Sequence, residues 1–231
     1  MTILYIYGGP YATPVRPQIF GSDGLDTISF RYFNQAIYAS LGGDISNNVP
    51  SPKPSQFDAL YSVASQWSIE NLTGSSYGDF LSGDLKDNKL DGRGGSDFII
   101  GGRGKDTLVG GTGSDTFAFQ GADSGGGPII DSTTTRPDVI TDFVRGQDKI
   151  DLTNFSNMKR SGASKSTYVS QFMWYGAMSS ASLPMGYAGY RVTSTGVDLY
   201  ANPYGQNGDT VAEVRISLLG LKALSATDIL L

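Results

Sequence analysis

The sequence predicts an all-β chain, in which a parallel coil of very short strands is covered at one end by a sandwich-like pair of layers. Three observations predict it. Glycine-rich units of nine residues follow one another without a break from Gly74 to Ala118. Each unit carries an apolar residue two places after its acid or amide position. Beyond residue 148 the chain changes to alternating polar and apolar residues separated by turn signals, the pattern of half-buried strands.

The five units read GSSYGDFLS, GDLKDNKLD, GRGGSDFII, GGRGKDTLV and GGTGSDTFA. Their sixth places are Asp79, Asn88, Asp97, Asp106 and Asp115, and one step further back lands on Glu70. The apolar places are Leu72, Leu81, Leu90, Ile99, Leu108 and Phe117. Gly/Ser/Asp composition alone would suit a flexible linker. Linkers keep no phase, and two registers held together over six units mark a repeat architecture.

A period of nine has a physical meaning. Three residues such as Thr107, Leu108 and Val109 make a short strand whose middle side chain points to one face and its neighbours to the other. The six residues before them make a turn, in which glycine accepts backbone angles closed to other residues. Two nines close one coil, so residues eighteen apart stack, at roughly the 4.8 Å spacing of paired strands. Asp79, Asp97 and Asp115 then form one acidic column, and Glu70, Asn88 and Asp106 the other. Tyr61 stands eighteen residues before Asp79 and Ser124 eighteen after Asp106, so by the period each column ends there. Two bare carboxylates about 5 Å apart repel by roughly 3 kcal/mol at an effective dielectric near 20. A hard cation between coils reverses that sign. Calcium suits the position, because it takes six to eight oxygens in flexible geometry, whereas magnesium dehydrates reluctantly.

GGRGKDTLV and GGTGSDTFA resemble the RTX calcium-binding nonapeptide, the repeat of a parallel β-roll. The flanks Ile69-Glu70-Asn71, Pro137 to Phe143 (PDVITDF) and Gln147 to Leu152 (QDKIDL) narrow the resemblance. So does the ending from Val214-Arg215-Ile216 through Gly220 to Asp228-Ile229-Leu230-Leu231. Together they are similar to the C-terminal domain of serralysin metalloproteases, over about residues 19–231. The resemblance implies several calcium ions, held by the sixth-place side chains and by turn carbonyls at the second and fourth places. Those carbonyls belong to Ser75 and Tyr77, Asp84 and Lys86, Arg93 and Gly95, Gly102 and Gly104, and Gly111 and Gly113, with Ser68 as a further one. Tyr77 and Lys86 replace preferred glycines, Asp84 replaces the second glycine and Asn88 an acid, so weaker binding is expected in the first two units. Gly21 to Ser29 fits the nine-residue template by itself and makes Asp26 a further candidate, although a plain Gly-Asp turn before a strand fits as well. Asp123, Asp138 and Asp142 could cap the last coil or be ordinary loop acids.

Taken in order, residues 1–64 hold a strand in TILYIY, a proline-punctuated lead-in, the outlying repeat and an apolar strand from Phe30 to Leu41. Residues 65–124 are the roll. Residues 125–231 form a sandwich-like cap, with a hairpin across Ser194-Thr195-Gly196 and a strand between Val211 and Leu219. The three parts make one elongated unit, because stacked turns grow along an axis and their open end needs cover. Phe172, Trp174, Tyr175, Tyr187, Tyr190 and Tyr204 are read as strand packing rather than a sugar platform.

Composition excludes much. In 231 residues there is no Cys and no His. No Ser-His or Cys-His nucleophile can be built, nor a zinc site of the usual ligands, and the two-His catalytic helix of a serralysin is missing. The net charge of −5 disfavours nucleic acid and anionic lipid as partners. No apolar run reaches the eighteen residues of a transmembrane helix, and Met1 to Pro10 lacks the form of a Sec-type signal. Every obvious acid pair is already assigned to calcium, so no enzyme is expected. The expected function is a secreted, calcium-binding RTX module, exported by a type I exporter through an uncleaved tail ending in Asp228 to Leu231, folding outside the cell and serving as an export and folding scaffold. Two alternatives stay open. One is an extracellular adhesion, matrix or polysaccharide-binding module, for which Arg93, Arg103 and Lys105 would have to line up. The other is the non-catalytic C-terminal part of a larger secreted hydrolase.

Overall fold

The computed structural model describes residues 3–5, 25–41, 60–62, 69–120, 130–155, 172–180, 182–203 and 212–231. Ser68, Asp123 and Tyr204, the lead-in prolines and the stretch 51–55 lie outside these residues. The chain is built from β1 (Ile3–Tyr5), β2 (Thr27–Ser29), β3 (Tyr38–Ser40), β4 (Leu60–Ser62), β5 (Asn71–Thr73) and β6 (Phe80–Ser82). There follow β7 (Lys89–Asp91), β8 (Phe98–Ile100), β9 (Thr107–Val109), β10 (Thr116–Ala118), β11 (Asp138–Ile140) and β12 (Lys149–Asp151). The last five are β13 (Met173–Ala177), β14 (Tyr187–Val192), β15 (Gly196–Asn202), β16 (Val214–Leu219) and β17 (Ile229–Leu230).

The last three residues of each nonapeptide are a strand, and successive strands go alternately to two sheets. A ten-stranded sheet runs β1-β2-β5-β7-β9-β11-β16-β15-β14-β13, and a seven-stranded one runs β17-β12-β10-β8-β6-β3-β4. Within the roll every pairing is parallel, and the register places Leu72 beside Leu90 and Leu90 beside Leu108. The other sheet places Leu81 beside Ile99 and Ile99 beside Phe117. Residues eighteen apart therefore stack, as the period demands. The chain is a parallel β-roll.

Its core lies between the sheets. Leu90, Leu108, Leu81, Ile99 and Phe117 are all fully buried, and each contributes about 1.5–3 kcal/mol relative to exposure. Part of the outer face of the seven-stranded sheet is also buried. Tyr38 stacks on Phe80 at 4.2 Å between centroids and Phe80 on Phe98 at 5.5 Å, and Tyr38, Phe80, Ile100 and Ala118 are buried.

Residues 25–41 form a complete rung beneath the first coil, with β2 beside β5 and β3 beside β6. The continuous strand expected from Phe30 to Leu41 is not there. The Phe33 amide donates to the Phe30 carbonyl at 2.8 Å, and only Tyr38–Ser40 is strand. A rung must cross from one sheet to the other, and this apolar stretch contains the crossing turn.

At the far end the two sheets run directly into the C-terminal strands. β16 pairs parallel with β11, and β17 parallel with β12. β15 and β14 then follow as antiparallel neighbours, and the hairpin turns where expected, with Val192 opposite Val197. Val197, Leu199, Ile216 and Leu218 join the core that begins in the roll.

Candidate metal centre

The turns between strands are shaped by their second and fourth places. Gly95, Gly102, Gly104, Gly111 and Gly113 all have positive φ, and so does Arg93, at 72°. A Cβ on Gly102 or Gly104 would run into the carbonyl of Asp84 or Lys86, one coil below. The second- and fourth-place residues of successive coils thus stack in files. The first two turns differ. Ser75, Tyr77, Asp84 and Lys86 are absent from the positive-φ residues, and side chains close these turns instead. The Ser75 amide donates to Asp79 Oδ2 at 2.6 Å, the Asp84 amide to Asn88 Oδ1 at 2.8 Å, and the Lys86 amide to Asp84 Oδ1 at 2.8 Å.

The sixth places form two ladders. On one side the Asp79 amide donates to Asp97 Oδ1 at 2.7 Å, and the Asp97 amide to Asp115 Oδ1 at 2.9 Å. On the other the Asp26 amide donates to Glu70 Oε2 at 2.8 Å and the Asn88 amide to Asp106 Oδ1 at 2.7 Å. Each carboxylate is thereby anchored through one oxygen to the backbone of the rung below. The second oxygen is different. Asp97 Oδ2, Asp106 Oδ2, Asp115 Oδ2 and Asp138 Oδ2 are buried without a hydrogen-bond partner. Leaving such a group unmet costs about 1–3 kcal/mol or more each.

The first-place glycines are explained by the same oxygens. A Cβ on Gly92 would overlap Asp97 Oδ2, and one on Gly110 would overlap Asp115 Oδ2. The carboxylate lies flat on its own turn, and only glycine leaves room for it.

Burial pushes the carboxyls upward: Asp97 and Asp106 to about 8, Asp115 to about 6, and Asp138 to about 9. Desolvation is the main cause in each, and neighbouring acids add to it: Asp79 and Asp115 around Asp97, and Asp106 around Asp138. Without a counter-ion Asp97, Asp106 and Asp138 hold their protons at neutral pH, whereas Asp115 is mostly ionised. Among the described residues no trio of His, Cys, Asp or Glu side chains gathers round one point. A cation here must therefore be met by paired carboxylates plus backbone carbonyls, which is the donor set calcium accepts.

Two of the ladder's acids were not placed by the period. Above Asp106 stands Asp138, not Ser124: the Asp106 amide donates to Asp138 Oδ1 at 2.8 Å. Above Asp115 stands Asp148, which accepts that amide at 3.0 Å. Below Asp79 stands Ile37, not Tyr61, its amide donating to Asp79 Oδ1 at 2.9 Å. Asp142 is a cap, taking the Gly110 and Gly111 amides at 3.0 and 2.7 Å. The flanks Pro137 to Phe143 and Gln147 to Leu152 held these acids, but only the chain path shows which rung each one meets.

Residues 18–231 match the family described as Peptidase M10 serralysin C terminal. The chain belongs to this family. Serralysin G of Dickeya chrysanthemi is 37% identical over 144 residues, which are 62% of this chain and 28% of that protein. The chain thus spans little more than a quarter of that relative's length. The solution structure of the AlgE6R3 subunit from the Azotobacter vinelandii mannuronan C5-epimerase is 25% identical, over 68% of this chain and 79% of that one, with a TM-score of 0.22. What is matched is the serralysin C-terminal domain, so no catalytic domain is indicated.

In this serralysin C-terminal chain Arg93, Arg103 and Lys105 do not share one stripe. Arg93 belongs to the turns on the Asp97 side, whereas Arg103 and Lys105 belong to those on the Asp106 side. Of the aromatics, Phe172 lies in the core and Trp174 stacks on Tyr190 at 6.0 Å, whereas Tyr175 is exposed. Among the described residues no helix is long and apolar enough to cross a membrane.

Proposed function

We propose that the chain is a calcium-dependent folding module, secreted by a type I exporter and ordered outside the cell by the ions it binds there. The observation that carries this reading is the set of four buried carboxylate oxygens without partners, arranged as the pairs Asp97 with Asp115 and Asp106 with Asp138. Calcium at these two positions, completed by second- and fourth-place carbonyls, would supply the missing charge. Asp26, Glu70 and Asn88 occupy the lower rungs beneath Asp106, where fewer bare oxygens argue for weaker sites, and both oxygens of Asp79 on the other side already accept hydrogen bonds.

The direction of folding follows from affinity. Extracellular calcium modules bind at about 10^-4 to 10^-3 M, so the ladder would be empty in the cytosol and filled outside. Ions that bind only the folded chain shift the balance toward it. The tail has a structural place too. Asp228 is buried, accepts the Gly146 and Ser225 amides at 3.0 and 2.8 Å, and pairs with Arg145 at 3.2 Å. The same residues can act as the export signal only while the chain is unfolded, because folding takes them into the sheet edge.

Circular dichroism tests the reading. Above the melting temperature of its metal-free fold the chain should be largely coil in chelator and gain strand signal as calcium rises through about 10^-4 to 10^-3 M, with magnesium a poor substitute. A complete β spectrum in chelator, unaltered by calcium, would remove the basis for it.

A further inference from the structure

The two ladders are not equivalent at their lower ends. Asp97, Asp106, Asp115 and Asp138 each have a bare buried oxygen, but Asp79, equally buried, has none. Its Oδ1 accepts the Ile37 amide at 2.9 Å and the Ser75 hydroxyl at 2.9 Å, and its Oδ2 the Ser75 amide at 2.6 Å. The chain has closed this carboxylate with its own donors.

A positive charge also stands there. Arg93 is the non-glycine residue with positive φ among the described residues, held in a conformation that costs about 1–2 kcal/mol for an ordinary side chain. Its Nη1 donates to the carbonyl of Ser75 at 3.4 Å, one coil below, and to that of Arg31 at 3.0 Å, in the rung beneath that. Ser75 is a second-place residue, so its carbonyl is one that a metal on this side would use. A guanidinium always carries its charge and donates in a fixed planar fork, which suits it to gathering carbonyls of successive rungs.

Resting on the calcium reading above, we propose that the Arg93 guanidinium takes the place of a bound cation at the first turn on the Asp79 side. That end of the roll is then held by the chain's own charge, and metal sites on this side begin one coil later, between Asp97 and Asp115. The roll has a metal-independent foot on which the calcium-dependent coils stack. Asp79 is a positioning residue for that foot, and not a metal ligand.

Isothermal titration with calcium on the full chain tests this, alongside melting in chelator. Arg93→Gly suits the φ of 72° and restores the repeat's second glycine, so it should fold and bind one calcium more per chain than the native protein. Arg93→Lys keeps the charge and should bind no more than the native chain. Arg93→Gln keeps the strain without the charge, and should melt lower than the native chain in chelator. Equal stoichiometry of Arg93→Gly and native chain overturns the proposal. Should the native chain bind no calcium, the calcium reading itself falls. The chelator comparison then judges Arg93 alone: equal melting of Arg93→Gln and native chain overturns the proposal.

Discussion

Replacing Asp97 by asparagine should change sign with the metal. In the metal-free fold burial holds Asp97 at about 8, against 3.8 in the unfolded chain. At pH 7 the folded chain must therefore keep a proton that the unfolded chain gives up, a penalty of about 4 kcal/mol. Asparagine removes that penalty, and its oxygen can still accept the Asp79 amide that Asp97 now takes at 2.7 Å. Its amide group would lie buried and unmet, as Asn88 Nδ2 does, at a cost of about 1–3 kcal/mol. In chelator Asp97→Asn should thus be the more stable chain by about 1–3 kcal/mol, or about 5 °C in melting temperature. With millimolar calcium the order should reverse, because a charged ligand has been lost from the Asp97–Asp115 position. Differential scanning calorimetry of both chains, with and without calcium, reads the effect directly. Equal destabilisation in chelator and calcium would show that Asp97 is only a hydrogen-bond acceptor, and the cation argument would fail.

Three further outcomes are expected. Gly92→Ala places a Cβ on Asp97 Oδ2, and should weaken calcium binding and cost about 1–3 kcal/mol in calcium-loaded denaturation; a silent substitution would mean that the carboxylate does not lie on its turn. The raised carboxyls of Asp97, Asp106 and Asp138 give stability to the metal-free fold that is complete below about pH 4 and lost as pH rises toward 8 and 9. Calcium affinity should therefore increase over that range, with protons released on binding, measurable as a buffer-dependent heat in titration calorimetry. Asp228 is held below the usual carboxylate range because hydrogen bonds from Ser225, Gly146 and Arg145 outweigh the opposing effect of burial. Asp228→Ala should lower calcium-loaded stability by about 1–3 kcal/mol in urea denaturation, and an unchanged midpoint would leave the tail free for export alone.

Much of this protein is legible in its sequence, because a coil is a local code. A turn of six and a strand of three put Leu72, Leu90 and Leu108 in one file and Asp97 over Asp79 without knowledge of any distant contact. The period marks Gly92 and Gly110 only as turn glycines, and the structure adds the reason, that a Cβ there would meet Asp97 and Asp115. Where the period stops, so does its reach. Asp138 and Asp148 join the ladders 32 and 33 residues after Asp106 and Asp115, separations that a spacing of eighteen does not give. Ile37 lies under Asp79 for the same reason at the other end. The Arg93 side chain reads in sequence as a solvated charge at an imperfect repeat, and only the stacking of three rungs brings the Ser75 and Arg31 carbonyls within its reach. Periodicity determines which residues stack. The path of the chain between periods determines what closes the stack, because closure depends on long-range meetings that no local pattern encodes.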